Sequence, residues 1–233
     1  KRHGFCQTNL GLFMDYRRDI TGLRSIAVLI VVLFHLQLDV FSGGFVGVDV
    51  FFVISGFLLT QIITAKIEQR TFSFLDFYKR RIRRLFPALF ITILASAIAA
   101  VIILPPDYLI DFSKSAITAL LSASNIYFWL TSGYFDTDSL AKPLLHTWSL
   151  SVEEQFYLAW PLLLLIAVKL RRFFLGPVII LGLAFIGSLG LSQVMTGLSP
   201  DAAFYLLPFR VFEFAAGGLI GFLPAMRHRL AAP

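Results

Sequence analysis

Apolar residues in this chain fall in long blocks. They cover about residues 22–38, 45–65, 85–104, 144–168, 175–195 and 202–223. Each block is close to the ~20 residues that a helix needs to cross ~30 Å of hydrocarbon. Polar punctuation separates them: Asp39, Ser42, Gly43 and Gly44 after the first, the basic and aromatic stretch 66–84 before the third, and Pro105 with Pro106 after it. KLRRFF follows the fourth block and RHR the sixth. The period-two alternation of a membrane strand is absent. The pattern predicts an all-α, polytopic helical integral membrane protein with about six transmembrane spans.

Residues 114–130, KSAITALLSASNIYFWL, are long enough for a marginal seventh span but rich in Ser, Thr and Asn. The basic residues decide against a crossing there. With that stretch left uncrossed, all but Lys114, Lys142 and Arg210 of the 20 lysines and arginines fall on one side or at its boundary. Cytoplasmic loops carry such an excess, so the N-terminus is expected in the cytoplasm. The segment 105–146 is then expected on the outer side, with part of it re-entering the membrane.

Composition sharpens the class. The 233 residues are 58% hydrophobic and only 15% charged, against about a quarter charged in soluble domains. The net charge of +6 would suit nucleic acid in a soluble chain. Here the charges sit between spans, so no nucleic-acid partner is expected and the lipid bilayer is. The single Cys6 leaves no internal disulfide and no cysteine-based metal site, and no metal is expected. Residues 1–14 lack the h-region and cleavage site of a signal peptide. They read as a disordered leader or a start placed upstream of Met14, with the transmembrane domain at 15–233.

Several spans hold groups that a purely structural helix avoids. Arg24 and His35 are eleven residues apart, which returns a helix to within ~20° of three full turns and places both on one face, ~16 Å apart along the axis. That sets a cation near one surface and an imidazole near mid-depth. An anchoring arginine with a packing histidine is the plainer alternative. Asp49 lies near the outer end of the second span, where it caps a helix or meets water. Ser149, Glu153 and Tyr157 stand at i, i+4 and i+8 and line one stripe of the fourth span, with Glu154 rotated ~100° from it. Two adjacent carboxylates cannot both face lipid, so at least one faces a polar cavity or a basic partner. A carboxylate that orients a histidine is a standard device for activating a hydroxyl. Lys79, Arg80, Arg81, Arg83 and Arg84 read as a positive-inside cluster or as a site for a polyanion such as a nucleotide-like donor. Arg210 and Glu213, at i, i+3, read as a structural pair.

These motifs together resemble the acyltransferase 3 family of bacterial membrane proteins. The likeness runs over residues 15–223, through YRRDITGLRSIAVLIVVLFH, GGFVGVDVFFVISGFLLT, FYKRRIRRLFPA, HTWSLSVEEQFYLAWP and FRVFEFAAGGLIG. It implies an O-acyltransferase of the bacterial inner membrane. Its donor would be cytoplasmic acetyl-CoA, with no tightly bound cofactor. Its acceptor would be a hydroxyl of a surface polysaccharide such as lipopolysaccharide O-antigen, or a lipid-linked precursor, on the periplasmic side. By the same resemblance His35 matches the essential histidine, assisted by Glu153 and Glu154. Arg24 matches its paired arginine, Arg81 and Arg84 the arginines before Pro87, and Asp49 the aspartate of the second-span motif; Arg24, Arg81 and Arg84 are expected to bind the donor, and Asp49, Ser149 and Tyr157 to line a polar cavity. The family carries about ten spans, so this chain reads as part of a larger fold, truncated at its C-terminus. A proton-coupled carrier of a sugar or acyl group, and a non-catalytic relative, are the competing readings.

Overall fold

A computed structural model describes residues 18–131, 142–169 and 176–230, with side chains as far as Phe222, Asp39 excepted. Residues 1–14 lie outside it. The described chain is helix and turn, with no strand, and it divides into two compact units, residues 1–51 and 52–233.

In the first unit α1 runs Arg18–His35. Asp19 in its first turn and His35 in its last both suit the helix dipole. The helix ends because Gln37 turns into the left-handed region (φ 56°) and its N–H donates to the Phe34 carbonyl at 2.9 Å, a common C-terminal cap. Two single-turn 3₁₀ segments, Asp39–Phe41 and Gly44–Val46, lead into α2 (Gly47–Glu68). Glycine is required there. A Cβ on Gly44 would sit 2.6 Å from the Ile30 carbonyl oxygen, and one on Gly47 2.6 Å from that of Ala27. The glycines thus let the entry to α2 lie against the backbone of α1. The expected first span, 22–38, is therefore displaced toward the N-terminus. His35 closes α1 instead of standing at its middle, because Arg18 and Asp19 join the helix and Gln37 stops it.

The second unit holds the rest of α2 and seven further helices among its described residues. α3 spans Phe74–Ile103 and begins eleven residues before the expected boundary at Leu85. Ser73 accepts a hydrogen bond from the Asp76 N–H at 3.3 Å and starts the helix there. The basic cluster is consequently helical, and Pro87 lies inside α3 rather than at its start. The predicted stop holds: Leu104 turns extended before Pro105 and Pro106.

The stretch 114–130 does not form one helix. α4 (Pro106–Leu120) and α5 (Ser124–Thr131) are separated by Ser122, whose φ is 56°. Gln155 of α6 (Thr147–Lys169) donates to the Ser122 carbonyl at 2.9 Å and to Asn125 Oδ1 at 2.8 Å. Ser124 and Ser151 share a 2.8 Å hydroxyl contact. Ser122, Ser124 and Asn125 of the stretch form this polar seam, while Ser115 and Thr118 donate to carbonyls within α4. The last expected span, 202–223, is also divided. After α7 (Gly176–Leu198), α8 (Pro200–Tyr205) ends in a 3₁₀ turn at Leu207–Phe209, and α9 starts at Val211 and runs to Leu230. Ser188 Oγ donates to the Pro208 carbonyl at 2.7 Å and accepts from the Phe212 N–H at 3.0 Å. The groups freed by the break are thereby satisfied, as a hydrocarbon setting demands.

α2, with the turn before it, α3, α6 and α7 are long and apolar enough to cross a membrane. α1, with 18 described residues that include Arg18, Asp19 and Arg24, is not among these four helices, nor is the divided last span. The core of the second unit is aromatic. Phe214 stacks on Phe156 at 3.9 Å and on Phe52 at 4.7 Å, between ring centroids. Trp160 donates to Thr60 Oγ1 at 2.8 Å. α2 and α9 touch backbone to backbone, since a side chain on Gly56 would meet the Phe214 carbonyl and one on Gly217 that of Val53. Outward faces are apolar, as Ile102 (78% exposed) and Leu183 (67%) illustrate, which suits lipid and not water. The protein is an all-α polytopic membrane protein.

Candidate active site

α1 carries two of the expected residues. Arg24 is half-buried, its guanidinium carbon 5.7 Å from the centre of the Phe51 ring. His35 Nδ1 lies 2.8 Å from the Val31 carbonyl oxygen. A carbonyl can only accept, so Nδ1 carries the hydrogen and the lone pair of a neutral ring falls on Nε2. Phe34 meets the imidazole edge-on at 5.2 Å. One ring face is thus braced and one nitrogen committed, while the side chain stays exposed. Asp49 stands in the first turn of α2, half-buried, where a carboxylate complements the helix dipole.

In the second unit a separate polar cluster joins α2, α3 and α6. Ser55 Oγ donates to Glu153 Oε1 in a close contact. The Tyr157 hydroxyl is hydrogen-bonded to both Glu153 and Ser55. Arg81 lays its guanidinium over the Tyr157 ring at 4.7 Å and over Phe77 at 5.6 Å, and its charge acts on Glu153 and Glu154. Glu153 is therefore held by two hydroxyls. Glu154, half-buried, interacts among the described residues only electrostatically, with Glu153 and Arg81. The cation balances the two adjacent carboxylates, as the hydrophobic setting requires. The i, i+4 relation of Glu153 and Tyr157 is realised as read from the chain.

Two expected residues of the second unit, Arg84 and Ser149, stand outside this cluster. Arg84 is exposed while Arg81 is turned inward, so the pair before Pro87 does two different things. Ser149 donates to the His146 carbonyl at 3.2 Å and serves the entry to α6. Ser55 is the member the sequence did not single out. Its only trace was a hydroxyl beside a glycine in an apolar run. Arg210 and Glu213 form the structural pair expected of them, at 2.8 Å. Arg210 also donates to the Phe204 carbonyl at 2.9 Å and lies 4.8 Å from the Phe204 ring. Among the described residues no three His, Cys, Asp or Glu side chains gather in a way that would hold a metal ion.

The sequence profile of the acyltransferase 3 family, described as an acyltransferase domain, matches residues 17–229. The peptidoglycan O-acetyltransferase OatA of Listeria monocytogenes is 35% identical over 212 residues, which is 89% of this chain and 34% of that protein. The O-acetyltransferase OatA of Staphylococcus aureus is 38% identical over 162 residues, 68% of this chain and 26% of that protein. An uncharacterized protein of Haemophilus influenzae is 48% identical over 126 residues, 53% of this chain and 51% of that protein. The chain thus spans between about a quarter and a half of the length of these relatives. No solved structure matches. With the profile covering nearly the whole chain, and Arg24, His35, Arg81 and the Glu153–Glu154 pair all inside the match, the protein belongs to the acyltransferase 3 family.

Proposed function

We propose that this protein transfers an acyl group, most simply acetyl, from acetyl-CoA to a sugar hydroxyl of a cell-surface polysaccharide or its lipid-linked precursor. The observation that carries the reading is His35: a braced imidazole with Nδ1 tied to Val31 and the Nε2 lone pair left for chemistry, on the helix that also bears Arg24. As a base, Nε2 takes the proton of the acceptor hydroxyl while its oxygen attacks the thioester carbonyl; the C–S bond breaks and the thiolate leaves, to be protonated from the imidazolium. As a nucleophile, Nε2 attacks the thioester carbonyl, the C–S bond breaks and the thiolate leaves; in a second step the hydroxyl oxygen takes the acyl group, the C–N bond breaks, and the hydroxyl proton goes to the thiolate.

In this reading Arg24 and Arg84 meet donor phosphates at the cytoplasmic mouth. Arg81 balances the charges of Glu153 and Glu154, the two carboxylates this reading assigns to the reaction. The protein lies in the inner membrane with its N-terminus in the cytoplasm. For the acceptor, the name of the Listeria relative favours peptidoglycan over the O-antigen expected from the resemblance. The test is acetyl transfer by purified protein from radiolabelled acetyl-CoA to a soluble peptidoglycan fragment or to O-antigen polysaccharide. Label on the former, lost in His35→Ala, supports the reading. Equal transfer by His35→Ala defeats it.

A further inference from the structure

α4 is amphipathic, and only one of its faces is used by the fold. Phe112 and Ala119 pack with Leu89, Ile93 and Ala100 of α3 and with Leu144. Alongside that packed face, Asp107, Asp111 and Ser115 at i, i+4 and i+8 form a polar stripe that lines a cavity of about 360 Å³. Its volume falls within the ~300–1,000 Å³ of small-molecule sites. Aromatic rings complete the wall: Tyr108, half exposed, with Tyr127 and Phe128 from α5, and Lys142 closes one side. The cavity adjoins the C-terminal end of α3, whereas the arginine cluster lies in the first turns of that 30-residue helix, ~45 Å long.

We infer that this cavity is a saccharide-binding subsite, taking one or two pyranose rings of the acceptor; the inference rests on the transferase reading above. The chemistry of the wall selects that ligand. Carboxylates accept hydrogen bonds from vicinal hydroxyls, and rings such as Tyr108 offer an apolar face to sugar C–H groups. A free cation fits less well, because Asp111 is already 3.5 Å from Lys114 and hydrogen-bonded to Tyr127, and Lys142 lines the same space. A lipid chain would find a stripe of polar groups. Burial, with Asp111 beside it, pushes the Tyr127 phenol above its ordinary pKa, and its hydroxyl donates to the Asp111 carbonyl at 3.3 Å.

The test is calorimetric titration of the whole chain in lipid nanodiscs with N,N′-diacetylchitobiose, alongside acetyl-CoA hydrolysis without acceptor. Asp111→Asn should weaken saccharide binding about ten-fold, as loss of a hydrogen bond to a charged group implies, and Tyr108→Ala about as much, through loss of the ring face. Ser113→Ala, whose hydroxyl bonds the Leu109 carbonyl on the same helix, should bind normally. Hydrolysis should be unchanged in all three. Wild-type protein that does not bind the disaccharide, or variants that bind it as well as wild type, would overturn the subsite. Saccharide binding that depends on Asp111 in a protein without acetyl-CoA turnover would retain the subsite and reject the transferase reading.

Discussion

His35 and Glu153 show what a linear chain discloses about single residues. The eleven-residue spacing of Arg24 and His35, and the i, i+4 spacing of Glu153 and Tyr157, were legible because both lie within one helix, where geometry follows from count. The Nδ1 contact to Val31 is equally local. Ser55 was not legible, since its partner Glu153 is 98 residues away and only tertiary packing pairs them. The split between Arg81 and Arg84 was hidden for the same reason. It leads to a distinction at this scale. Arg84→Ala should weaken acetyl-CoA binding about ten-fold through loss of a charge-assisted contact, with thermal stability unchanged. Arg81→Lys keeps the charge but loses the planar stack on Tyr157, so it should cost about 0.5–2 kcal/mol of stability. Donor titration and thermal unfolding of the two variants in detergent would check this; the reverse pattern would place Arg81 at the donor and Arg84 in the fold.

Helices are where reading and structure part most. α2, α6 and α7 begin and end within a few residues of the apolar blocks, because block length and helix length answer to the same bilayer. The breaks at Ser122 and at 206–210 were invisible, since they are stabilised from other helices: Gln155 reaches the first, and Ser188 holds the second. An apolar run containing Pro208 and Arg210 looks continuous to any count of hydropathy. The glycine code is likewise tertiary. Gly217 lies against the α2 backbone, whereas Gly190 of α7 has nothing within 4 Å. Gly217→Val should therefore separate α2 from α9 and lower stability by about 1–3 kcal/mol or more. Gly190→Ala should be neutral or slightly stabilising. Differential scanning fluorimetry in detergent would distinguish the two; equal melting temperatures would mean that α2 and α9 do not meet as described.

For the whole molecule, the charge asymmetry and the helix order make one topology. The proposed topology puts Lys66, Arg70 and the 79–84 cluster on one side with Lys169, and α4 and α5 on the other. Reporter fusions after Glu68 and after Lys169 should read cytoplasmic, and one after Ser122 periplasmic. A cytoplasmic signal after Ser122 would invert the account. Under the proposed function donor and acceptor approach from opposite faces, and transfer is proposed to depend on His35. The most direct measurement places the protein in proteoliposomes with labelled acetyl-CoA on one side and a peptidoglycan fragment on the other. Wild-type protein should label the fragment. His35→Ala, inserted and binding donor normally, should fall by a factor on the order of 10²–10⁴ or more, the contribution of a positioned acid–base group. Undiminished labelling by His35→Ala would contradict the account.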